Sequence, residues 1–237
     1  MRVLSTANVL TTVLVGLHAL ASSPAHAAAE KVDELIHNAL QLDVDAEKGG
    51  AIYRKHCVSC HGEKAYGDPA RDIPSLAGQR QAYVIKQLAD FSQLERDSRE
   101  MHNVVARDEI SDPQSWANVA AYVNGLPPLP DPQHGDGRYV QLGEAIFREQ
   151  CSSCHEEDAR GDDEGFVPSL RNQHYTYLLN EMRRMGRWHT RNVDEDLLRF
   201  LDSLDKDEMS GLADYLSRQH GPTKDRSRMR DDGAVVD

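Results

Sequence analysis

Aromatic residues are scarce in this 237-residue chain, at 6%. A small domain with so few rings has a thin core unless something other than side chains fills it. Basic residues are also in the minority: 27 Lys and Arg face 39 Asp and Glu, for a formal charge of −12. That balance removes the electrostatic case for binding nucleic acid or an anionic membrane, and favours a partner with a basic docking patch. Long apolar runs are missing too. The most apolar stretch, Val9 to Ala21, is short and broken by Thr and His, so it makes a poor membrane span. Arg2 precedes it and Ala25-His26-Ala27 follows it, the small-x-small form of a signal-peptidase site. Residues 1–27 therefore read as a signal peptide cleaved near Ala27, leaving an exported, periplasmic chain without a membrane span.

Cysteine is the next shortage, and the most informative one. An exported chain with four cysteines ordinarily carries two disulfides. Here all four fall in CVSCH at 57–61 and CSSCH at 151–155, and none is left over. A structural zinc site wants its two pairs about 15–20 residues apart, and a thioredoxin-like pair explains neither the histidine nor the duplication. Covalent haem c at each motif explains both. Cys57 and Cys60, and Cys151 and Cys154, are the expected thioether attachments, with His61 and His155 as iron ligands. Two covalently attached haem c groups would also supply the bulk that the sparse aromatics do not.

The motifs sit in a repeat of 94 residues. Gly49, Tyr53 and Arg54 match Gly143, Phe147 and Arg148. Gly67-Asp68 matches Gly161-Asp162, Pro74-Ser75-Leu76 matches Pro168-Ser169-Leu170, and Gln79 and Tyr83 match Gln173 and Tyr177. Two long copies mean tandem domains rather than a solenoid. Each reads as helices joined by loops: Asp45 caps the helix entering the first motif, Asp112-Pro113 opens the last helix of the first copy, and a partner starts near Asp205. No useful strand alternation is present, so the expected class is all-α. The expected layout is a signal peptide (1–27), an N-terminal extension (28–42), a first domain (43–126), a Pro-rich semi-rigid linker (127–136), a second domain (137–218) and a charged, disordered tail (219–237).

On these motifs the chain resembles the class I cytochromes c, in particular the two-haem cytochrome c4 type, over about residues 43–218. The resemblance implies that Gly49 and Tyr53 cross Tyr122, and that Gly143 and Phe147 cross Tyr215. It implies that the carbonyls of Pro74 and Pro168 accept a hydrogen bond from the ligating histidines. It also implies a methionine as the sixth iron ligand, between the middle and last helices. Met101 stands there in the first copy, beside His102, which reads as solvent-facing or capping.

The second copy departs from this pattern. Its corresponding positions, Val193 to Glu195, hold no methionine. His189 is the strong ligand in that loop, with Met185 and Met182 as alternatives on the preceding helix and His174 a weaker one. Met182, Met185 and Met209 all read as core residues in their own right. His56 is expected at the surface, and Arg183, Arg184, Arg187 and Arg191 form a basic cluster suited to propionates or carboxylates. Bis-histidine ligation would lower the potential of the second haem relative to the first. The function implied is single-electron transfer between respiratory partners such as a terminal oxidase, reductase or dehydrogenase. A dedicated electron-transfer subunit is the alternative. A peroxidase-like enzyme using the second iron fits less well, because further catalytic acid and histidine residues are not evident.

Overall fold

The computed structural model describes residues 24–187 and 192–221. α1 (Pro24–Leu40) precedes the first repeat. The first domain contains α2 (Ala46–His56), α3 (Val58–His61), α4 (Gln81–Ser92), α5 (Arg99–Val105) and α6 (Pro113–Gly125). The second contains α7 (Val140–Ile146), α8 (Ser152–His155), α9 (Tyr175–Gly186), α10 (Glu195–Ser203) and α11 (Lys206–Ser217). Among the described residues the only β-structure is two isolated bridges at equivalent places, Asp68 to Ile73 and Asp162 to Val167. The all-α expectation holds. No helix among the described residues is long and apolar enough to cross a membrane.

Local signals set the helix limits. Asp45, Asp112 and Asp205 each accept backbone N–H groups at the start of α2, α6 and α11, and Asp205 completes a capping box with Glu208. Within each domain the first helix crosses the last at a glycine. A Cβ on Gly49 would stand 1.9 Å from the Asn118 carbonyl oxygen, and one on Gly143 2.0 Å from that of Gly211. Only glycine permits this approach. Beside the crossings, Tyr53 packs on Tyr122 with ring centroids 5.4 Å apart, and Phe147 on Tyr215 at 5.5 Å.

Three segments differ from the simplest reading of the sequence. Residues 28–42 are more than an extension, because Val32, Ile36 and Ala39 lie on one face of α1 and are buried in the first core. The Pro-rich stretch is strapped to the second domain: Asn172 donates to the Leu129 carbonyl at 2.7 Å, and Asp214 accepts the N–H groups of Gly135 and Gly137. His56 is buried rather than exposed, with Nε2 3.4 Å from Glu109, which Lys55 also reaches at 2.7 Å. Glu109 reaches the end of α2 from the segment that follows α5 and lies over the Nε2 side of the ring.

The two domains meet across a pseudo-twofold in which equivalent residues exchange equivalent bonds. Ser75 N–H donates to Gln173 Oε1 at 2.9 Å, and Ser169 N–H to Gln79 Oε1 at 2.8 Å. Gln173 Nε2 returns a bond to the Ser75 carbonyl at 2.9 Å, and Gln79 Nε2 to that of Ser169 at 3.0 Å. His174 donates to the Tyr66 carbonyl and Arg80, its repeat equivalent, to the Arg160 carbonyl, both at 2.8 Å. Thr176 reaches the Pro69 carbonyl at 3.1 Å, while Ala82 N–H reaches Asp163 at 3.1 Å.

Arg96 breaks this symmetry. It donates to Gln87 at 2.6 Å, Tyr177 at 2.9 Å and Glu181 at 2.8 Å, and it lies over the Phe91 ring. Gln87 and Glu181 are equivalent positions, so one guanidinium from the first domain joins both. Burial pushes the Glu181 carboxyl up, but Arg96 and Arg184 overcome it and hold the group below its ordinary value near 4.5. Such a group contributes stability above its unfolded pKa that is lost as pH falls through the folded one. Denaturant titrations of the wild type and E181Q should therefore diverge at neutral pH and converge as pH falls below about 4.5. A gap unchanged by pH would contradict the pairing.

Candidate haem sites

Each Cys-x-x-Cys-His motif ends one helix and starts a short one. α2 runs into Cys57, and α3 carries Cys60 and His61. In the second copy α7 passes through a π turn, Phe147–Cys151, before α8 brings Cys154 and His155. Residues three apart on a helical turn share a side, so each pair of thiols stands together. Cys60 and Cys154 are exposed, Cys57 and Cys151 half-buried, and all four are free of disulfides. Burial pushes the Cys57 thiol up to about 12 and the Cys151 thiol up to about 11.

The histidines are held alike. His61 Nδ1 donates to the Pro74 carbonyl at 3.1 Å, and His155 Nδ1 to the Pro168 carbonyl at 3.1 Å. Burial lowers both imidazole pKa values against the opposing effect of that hydrogen bond. Each ring is thus neutral at pH 7, with the proton on Nδ1 and the lone pair on Nε2. This is the donor state a haem iron requires, and with two thiols beside it the set fits covalent haem c. The loops that shape the proline carbonyls also match: Gly67 and Gly161 have φ of 73° and 69°, and a Cβ at either would strike the carbonyls around Pro74 or Pro168.

One backbone position differs. Directly after the first motif Gly62 has φ 75° and ψ 164°, a conformation that suits glycine. Its counterpart, Glu156, is held at φ 66° and ψ 156°. That region costs a residue with a side chain about 1–3 kcal/mol.

Beyond the Cys-x-x-Cys-His motifs and their proline loops the copies part. Met101 is on α5 rather than in a loop, half-buried against the first core, with its N–H bonded to Ser98. His102 donates from Nδ1 to the Phe91 carbonyl at 2.9 Å and so caps α4. In the second domain Met182 and Met209 are buried in the core and Met185 packs half-buried against it. His189 lies outside the described residues, as do Trp188 and Arg191. His174 has both ring nitrogens in use, accepting from Gln133 N–H at 3.2 Å and donating to Tyr66, so it is spent on the domain interface. Of the basic cluster, Arg184 pairs with carboxylates, with Asp72 at 2.9 Å and with Glu181. Sequence reasoning missed the Ser–Gln clasps and Arg96. Gln79 and Gln173 were visible as a matched pair, but a repeat does not say which of its side chains cross between copies.

A cytochrome c family profile matches residues 46–127 and 140–219. The chain belongs to the cytochrome c family. Its two cytochrome c domains imply two covalently bound haem c groups, and the cysteine pairs at 57/60 and 151/154 fit their attachment. The chain is 29% identical over 175 residues to cytochrome c4 of Pseudomonas aeruginosa, covering 69% of this chain and 84% of that one. It is 25% identical over 155 residues to the cbb3-type cytochrome c oxidase subunit FixP of Sinorhizobium medicae, covering 63% of this chain and 52% of that subunit. Its fold matches the crystal structure of reduced recombinant cytochrome c4 from Pseudomonas stutzeri with a TM-score of 0.66, at 24% identity, over 75% of this chain and 100% of that one. Family, relatives and fold agree on a dihaem cytochrome c of the c4 type. In this cytochrome the strained Glu156 gives a direct test. E156G should raise the unfolding free energy of the holoprotein by about 1–2 kcal/mol in denaturant titrations, the strain relieved less glycine's larger unfolded-state entropy, and a loss of stability would contradict the strain.

Proposed function

We propose that the chain is a periplasmic electron carrier passing single electrons between respiratory redox partners through two haem c groups. One observation carries this reading. The peptide beside each motif histidine is hydrogen-bonded to the opposite domain, so both redox sites belong to one body built for transfer between them. When bound, each haem supplies a one-electron iron couple. The rest is the work of the chain: the cysteines anchor, His61 and His155 bind iron in a fixed tautomer, and Pro74 and Pro168 hold those rings.

Met101 is the proposed sixth ligand of the first iron, because it is presented on a short helix against the core that would enclose the ring. His189 is the proposed sixth ligand of the second, with Met185 and Met182 as the alternatives on the core face of α9. A histidine there gives the molecule a direction, with electrons entering at the low-potential second haem and leaving from the first. The net charge of −12 suits a partner with a basic docking patch, such as a terminal oxidase, a reductase or a dehydrogenase. Permanent residence in an oxidoreductase complex is the second reading, favoured by the similarity to FixP, an oxidase subunit.

Near-infrared magnetic circular dichroism of the oxidised holoprotein tests the ligands. One His/Met and one bis-His signal are expected, with the His/Met signal lost in M101A and the bis-His signal lost in H189A. Two His/Met signals in the wild type would overturn His189 and pass the role to Met185 or Met182.

A further inference from the structure

The clasp between the domains acts on the same peptide groups that hold the ligating histidines. The Pro74 carbonyl that accepts from His61 Nδ1 belongs to the same peptide group as the Ser75 N–H, which donates to Gln173 Oε1 at 2.9 Å. Across the pseudo-twofold, the Pro168 carbonyl accepts from His155 while the Ser169 N–H donates to Gln79 Oε1 at 2.8 Å. Resonance links the two ends of a peptide group, so a bond accepted from its N–H draws charge onto its oxygen. Cooperative strengthening of this kind is about 10–30% per bond in condensed phases. A stronger carbonyl acceptor gives the imidazole more anionic character, and a more basic axial histidine favours ferric iron.

We infer that Gln173 and Gln79 are crossed tuning residues, each setting the redox potential of the haem in the other domain by polarising the peptide that holds its histidine. This rests on the assignment of His61 and His155 as iron ligands. Both side chains are preoriented for the task. Gln173 Oε1 also accepts the His174 N–H at 3.0 Å, and Gln79 Oε1 the Arg80 N–H at 2.8 Å, which fixes each oxygen toward the opposite serine. The two halves are unequal in burial. Gln173 and Ser75 are 6% and 5% exposed, whereas Gln79 and Ser169 are only half-buried. Water weakens a hydrogen bond's electrostatic effect, so Gln173 acts on the first haem more strongly than Gln79 acts on the second. Docking of the domains is thereby coupled to the potential of both sites through the peptide groups between the glutamines and the ligating histidines.

An NMR-monitored redox titration of the full-length holoprotein, following the methyl resonances of each haem separately, tests this. Q173L should raise the midpoint potential of the first haem, leave the second in place, and move the His61 Nδ1–H resonance upfield. Q79L should raise the second and spare the first, by a smaller shift, and it keeps the test available if Q173L fails to fold. N180L is the control for mere loosening, since it removes an interdomain bond to Asp72 that touches neither proline peptide; it should move neither potential. The inference is overturned if Q173L moves both haems equally, moves neither, or moves only the haem of its own domain, or if N180L reproduces its effect. A wild-type protein lacking two covalent haems would instead remove the reading on which the inference stands.

Discussion

The hydrogen bond from each motif histidine to a proline carbonyl organises this molecule. It fixes the tautomer that leaves Nε2 able to bind iron, and it ties the short helix of the motif to the loop thirteen residues later. That loop must turn back tightly, which is why Gly67 and Gly161 occupy left-handed conformations against the carbonyls around Pro74 and Pro168. The same loop then meets the other domain, where the N–H of that same peptide group is taken by a glutamine. Ligand geometry, loop shape and domain pairing are thus consequences of one short segment, used twice.

The duplicated frame makes its departures legible. Arg96 serves two equivalent positions from one side only, and the carboxylate of Glu181 stands where the first domain has the neutral Gln87. Glu156 replaces Gly62 in a backbone state that suits glycine, one residue from His155. No methionine occupies the position of Met101 in the second copy. After the undescribed residues 188–191, Asn192 donates to Asp90 of the first domain at 2.7 Å. The departures of one copy from the other are thus concentrated in the second domain and at its seam with the first.

Most of the frame was legible in the sequence because it depends on residues with few substitutes. Gly49 and Gly143 mark helix crossings that no side chain tolerates, the aspartates at 45, 112 and 205 mark helix starts, and the two Cys-x-x-Cys-His motifs mark the haem sites. The hidden parts rest on chemistry that other contexts share. Among the described residues α1 buries Val32, Ile36 and Ala39, with Leu35 half-buried beside them, too short a stripe to announce itself in the sequence. His56 is buried and meets Glu109 from 53 residues away, a contact that its place beside Cys57 does not announce. His174 looked like a spare ligand, yet Gln133 and Tyr66 consume both its nitrogens, one from the linker and one from the first domain.

The central claim is that each repeat carries its own haem, anchored at its own cysteine pair. Mass spectrometry of the denatured, unreduced chain tests it most directly, since thioethers survive denaturation. The account predicts an intact mass with two haem additions, and proteolysis that places one on the peptide with Cys57 and Cys60 and the other on the peptide with Cys151 and Cys154. A chain with one haem or none, or with either cysteine pair closed as a disulfide, would contradict it.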